Sequence, residues 1–112
     1  MRRGTGPVRG RGYSERMRIE FESDVLRWSA RVDSWYFATV PEELSADIRE
    51  LPAPSRGFGS LRVHARIGAT SWRTSIFFSG GSYSLPIKRA VRDAEGVAEG
   101  DTVLVDLEIL DL

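Results

Sequence analysis

Between Ser60 and Ser79 the chain alternates apolar and polar residues in two successive runs joined by one short connection. In SLRVHARIG, 60–68, Leu61, Val63, Ala65 and Ile67 share one parity while Arg62, His64 and Arg66 share the other. Period two sends successive side chains to opposite faces of a strand, so this stretch buries an apolar face only as β structure. SWRTSIFFS, 71–79, answers it, and the pair predicts a hairpin. A turn at Ala69 and Thr70 would set Ile67 opposite Trp72, Val63 opposite Ile76 and His64 opposite Ser75. It would also oppose Arg66 and Arg73, a like-charge pair that an anion would relieve.

The same period recurs on both sides of the hairpin. Ile19, Phe21 and Val25 alternate after Met17, and the phase then slips to Leu26, Trp28, Ala30 and Val32, which predicts a long strand bent at a bulge. WYFATV, 35–40, predicts a second strand ended by Pro41, and TVLVDLEIL closes the chain with Val103, Val105, Leu107 and Ile109 in alternation. Two segments are helical instead. Leu44, Ile48 and Leu51 recur at helical spacing after Pro41, and Ile87, Val91 and Ala94 form a second stripe stopped by Gly96. PAPSRGFG, 52–59, reads as a loop and SGGS, 79–82, as a turn. The predicted fold is mostly β, a small barrel of five or six strands with two short helices.

With 112 residues the chain holds one domain. It has no cysteine and a single histidine, His64, which excludes thiolate chemistry, disulfides and any two-histidine metal site, so no cofactor or metal is expected. No apolar run is long enough to span a bilayer and no signal segment is visible, so a cytoplasmic protein without membrane contact is expected. The formal net charge of zero hides a split: residues 1–16 carry five arginines against Glu15, leaving eleven basic and fifteen acidic residues in 17–112. That Arg/Gly head is expected to be disordered, either a basic arm for nucleic acid or an extension preceding a true start at Met17.

Lys88 is the only lysine beside fifteen arginines. Helical spacing places it in the first turn of the second helix with Arg92 four residues on, two cations on one face at the positive end of the macrodipole. An anion there would turn both placements favourable. The structural alternative lays the Lys88 methylenes on Tyr83 or Phe78 and the ammonium in water or against Glu95.

RGFGS at 56–60, then Ile67, Gly68, Trp72, Thr74 and Ser75, then YSLPIKRAVRDAEGVAEGD at 83–101, together with Phe21, Val25, Trp28 and WYFATVP, resemble the bacterial and archaeal Domain of Unknown Function 1905 family over about residues 17–112. The resemblance implies a double-split β-barrel similar to dimeric AbrB- and MazE-type DNA-binding domains, in some members joined to a YdeI/OmpD-associated domain. It supplies no catalytic residues. Phe78 and SGGS depart from the family's usual proline-containing, more charged turn. The family pattern includes Arg56, Ser75, Lys88 and Arg92, residues that backbone geometry and core packing do not account for. These four form the expected ligand-binding site, in a non-catalytic module for an anionic small molecule or a protein partner. Two alternatives follow. One is an AbrB-like homodimer contacting nucleic acid through Arg62, Arg66 and Arg73; the other is a hydrolase-type enzyme using Lys88 or a His64/Ser75 pair.

Overall fold

A computed structural model of the chain describes residues 17–29, 34–50 and 60–110. The basic head, Ala30, Val32, Leu51 and Arg56 lie outside the described residues. Within them the alternating segments become seven strands, two more than the lower expectation: β1 (Met17–Asp24), β2 (Leu26–Ser29), β3 (Ser34–Thr39), β4 (Ser60–Ile67), β5 (Thr70–Ser79), β6 (Ser82–Pro86) and β7 (Thr102–Ile109). Helix α1 (Glu42–Arg49) follows β3 and helix α2 (Arg89–Glu95) follows β6. All strand pairs are antiparallel, in the order β1-β7-β4-β5-β6-β3-β2.

The sheet curls because its two edge strands are consecutive in sequence. β1 pairs with β7, β2 pairs with β3, and only Val25 separates them. Val25 is fully buried; its amide donates to the Asp101 carbonyl at 2.7 Å and its carbonyl accepts the Gly100 amide at 2.8 Å. The phase slip is therefore a corner at which the chain changes partners. One expectation fails there: after the corner Leu26 and Trp28 face outward, 45% and 59% exposed. The Ser23 hydroxyl, accepting from the Thr39 amide at 2.9 Å, ties β1 to β3 inside the curl.

The concave face carries the core. Ile19, Phe21, Val63, Ala65, Ile76, Leu85, Val105 and Leu107 all face inward, as period two requires. α1 covers one end, burying Ile48, with Glu42 and Glu43 in its first turn and Arg49 in its last, the signs that complement the helix dipole. Arg49 lies over the Phe78 ring at 4.2 Å, and Phe78 meets Tyr83 edge-on. Ser45 is fully buried in this helix: its hydroxyl donates to the Val40 carbonyl at 3.2 Å and accepts the Tyr83 amide at 3.0 Å.

The β4–β5 register differs from expectation by two residues. The turn is Gly68-Ala69, so Ile67 pairs with Thr70, Ala65 with Trp72 and Leu61 with Ile76. Gly68 takes φ of +59°, the left-handed region that a two-residue hairpin turn demands and that glycine enters without steric cost. His64 therefore faces Arg73 rather than Ser75, Arg62 faces Ser75, and Arg66 faces Ser71. No arginine opposes another across this hairpin, which removes the expected like-charge conflict. SGGS behaves as expected, with Gly80 and Gly81 both at positive φ between β5 and β6.

Helix α2 also starts one residue late. Lys88 is its N-cap, extended at φ −71° and ψ 161°, rather than a first-turn residue. In a seven-residue helix that position gives the macrodipole argument no purchase. Val91 is buried, Ala94 is exposed, and Gly96 caps the C-terminus in the left-handed conformation.

Candidate functional site

β6 is half the length of β5, and that mismatch opens the sheet. β6 pairs with β5 only at Phe77–Ser79 and with β3 at Phe37–Thr39, then ends at Pro86. The Ile87 amide still reaches the Tyr36 carbonyl at 2.8 Å, but beyond it the chain leaves the sheet for α2. β3 and β5 are consequently left apart at this end, with the start of α2 set between them. The result is a groove of about 330 Å³.

Four cations line it: Arg73 from β5, then Lys88, Arg89 and Arg92 from the turn into α2. None of its lining residues is acidic. Three aromatics, Trp35, Tyr36 and Trp72, supply its apolar wall, and Thr74 supplies a hydroxyl. Arg92 is held in place, with its guanidinium 3.8 Å over the Tyr36 ring and its Nε donating to the Ile87 carbonyl at 3.3 Å. A part-buried contact of this cation–π kind contributes about 1 kcal/mol. Arg89 sits 3.7 Å from Asp93 on the exposed side of α2, a pair that solvent screens. Among the described residues, the side chains of Lys88 and Arg73 make no ion pair or hydrogen bond.

Lys88 and Arg92 are therefore brought together, as the sequence indicates. Ser75 is not with them. It points from the opposite face of β5 to Trp72 and Ile76, beside Arg62, and the hydroxyl at the groove is that of Thr74. Arg73, expected on a nucleic-acid face with Arg62 and Arg66, shares that face by register, opposite His64, and also lines the groove. The His64/Ser75 pair is not assembled either, because the two-residue shift places Arg73 opposite His64. Lys88 is exposed, and its ammonium makes no ion pair with Glu95, which accepts from the Thr70 hydroxyl at 2.5 Å. Sequence reasoning missed Trp35, Tyr36 and Arg89. Strand parity separates Thr74 from Ser75, but nothing local foretells that β6 stops short.

The convex face has a different electrostatic character. Arg66 and Arg18 both bond Asp106, at 3.3 and 3.2 Å, and His64 pairs across to Glu108 in register. A second concavity of about 530 Å³ lies beyond them, lined by Glu20, Glu95, Asp101 and Asp106. It is the larger of the two, yet three of those carboxylates already have partners: Asp106 binds the arginines, Glu95 the Thr70 hydroxyl, and Asp101 the Ala98 amide at 2.9 Å. Three of its four carboxylates are thus engaged, whereas the side chains of Lys88 and Arg73 in the smaller groove are not.

The family model described as Domain of unknown function (DUF1905) matches residues 21–107, which contain the smaller groove, the larger concavity but for Glu20, and every strand but parts of the first and last. The chain belongs to the DUF1905 family. No curated protein matches it. The DUF1905 match contains Arg73, Lys88, Arg89 and Arg92 as well as the WYFATVP strand, so the whole groove is a part of the family domain. No helix among the described residues is long and apolar enough to cross a membrane.

Proposed function

We propose that this DUF1905 domain is a non-catalytic binding module that takes up a small molecule through an anionic group in the groove between β3, β5 and α2. The observation that carries this reading is the convergence of Arg73, Lys88, Arg89 and Arg92 on one concavity without a carboxylate among its lining residues. Like charges held together repel, and a bound anion offsets that repulsion. The mixture of apolar wall and few polar groups is that of a small-molecule site. Lysine suits the apex: its ammonium is a compact charge with three donors on a flexible stem, and it can follow an anion that the planar Arg92 fork, fixed on Tyr36, cannot.

Duplex DNA is the less favoured ligand, since on the face of Arg62 and Arg66 the Arg66 guanidinium shares Asp106 with Arg18 and His64 faces Glu108. Thermal unfolding with inorganic phosphate, acetate, ribose phosphate or a duplex oligonucleotide tests the reading. A groove ligand at a hundred times its Kd should stabilise the fold by about 2.7 kcal/mol, and the Arg73→Ala/Lys88→Ala double variant should lose that gain while melting normally without ligand. An equal gain in the double variant would refute the groove as the site. Salt-sensitive duplex binding abolished by Arg62→Ala/Arg66→Ala would favour the DNA reading instead.

A further inference from the structure

We infer that the anion bound in the groove is borne on a flat aromatic ring, as in a nucleoside monophosphate or an aromatic carboxylate, and that Trp35 is the surface on which the ring stacks. This rests on the groove being an anion site, and it adds what the rest of the ligand is.

Trp35 lines the groove yet is 53% exposed. An indole left half in water forgoes much of the burial that makes tryptophan useful in a core. It stands directly opposite Trp28 on the neighbouring strand, which is 59% exposed, so the β2–β3 hairpin does not cover it. The two other aromatic walls are already committed: Trp72 is 6% exposed, and the face of Tyr36 carries the Arg92 guanidinium. Trp35 is thus the aromatic wall of the groove with a face still open. A bare, strongly hydrated ion gains nothing from such a wall. A ring with an anionic substituent uses both halves, stacking on Trp35 while Lys88 and Arg73 meet its charge. The volume, about 330 Å³, lies at the small end of organic-ligand sites, enough for a ring and its substituent but not for a polymer.

The test is isothermal titration of the full chain with two matched pairs of probes, ribose phosphate against adenosine monophosphate and acetate against benzoate. The ring-bearing member of at least one pair should bind about tenfold more tightly or better. Trp35→Leu should bring that member down to the level of its ringless partner without altering the partner's own affinity, Trp35→Phe should restore most of the preference, and Trp28→Leu should leave it intact. Preference for adenosine monophosphate over benzoate would assign phosphate esters as the class, and the reverse would assign carboxylates. Equal binding within both pairs, or a preference that survives Trp35→Leu, would overturn the ring inference while the anion site stood. Binding of none of the four would overturn both.

Discussion

Ser45 shows how much of this fold hangs on single polar atoms. Its hydroxyl satisfies the carbonyl of Val40, just past β3, and the β6 amide of Tyr83 where no water reaches. Ser45→Ala keeps the helix but orphans both groups, so it should cost about 1–3 kcal/mol and lower the melting temperature by several degrees. Calorimetry of the variant beside wild type checks this. Gly68 is a second such position. A Cβ there would collide with the Glu95 carboxylate as well as sit at φ +59°. Gly68→Ala should therefore destabilise by about 1–2 kcal/mol from the backbone alone, and adding Glu95→Ala to it should recover only the part due to the collision. A denaturant-unfolding cycle of the four proteins separates the two parts.

The elements differ in how legibly the sequence announces them. β4 alternates without fault, and β5 and β7 do so but for Phe77 and Leu104, apolar residues left on the outer face; α1 ends on a cation and α2 on a left-handed glycine, both visible in the chain. Register was not legible to the same degree. Shifting the hairpin turn from Gly68-Ala69 to Ala69-Thr70 preserves every face while moving every partner, so parity alone cannot separate the two. The positive φ at Gly68 decides it. Of the site, Lys88 and Arg92 were readable as a pair, but Arg73, Arg89 and Trp35 join them only through the early end of β6, a tertiary fact. The SGGS turn offers a prediction at this scale. Gly80 has φ +64° and open space around it, a conformation that asparagine also tolerates. Gly80→Asn should stabilise by a few tenths to about 1 kcal/mol by restricting the unfolded chain, read as a higher urea midpoint at unchanged slope.

On the scale of the whole molecule, two concavities of opposite charge open on one curled sheet, and the sheet holds its curl through the Val25 corner. Val25→Ala should cost about 2 kcal/mol, since it removes two fully buried methyl groups from the residue that joins the two edges. Urea unfolding followed by tryptophan fluorescence measures it. The β1–β7 pairing has a further consequence, in the life of the nascent chain. β1 leaves the ribosome first among the described strands, while its partner is the last of them, so at roughly 5–20 residues per second it waits several seconds for anything to pair with. During that interval its apolar side is open to any other unpaired strand in the cell. Arg18, Glu20 and Glu22 alternate with Ile19 and Phe21 along it, and such charges discourage edge-to-edge association. None of the three belongs to the finished core, and because β1 remains an edge strand of the folded sheet, the guard they mount in those seconds is kept afterwards.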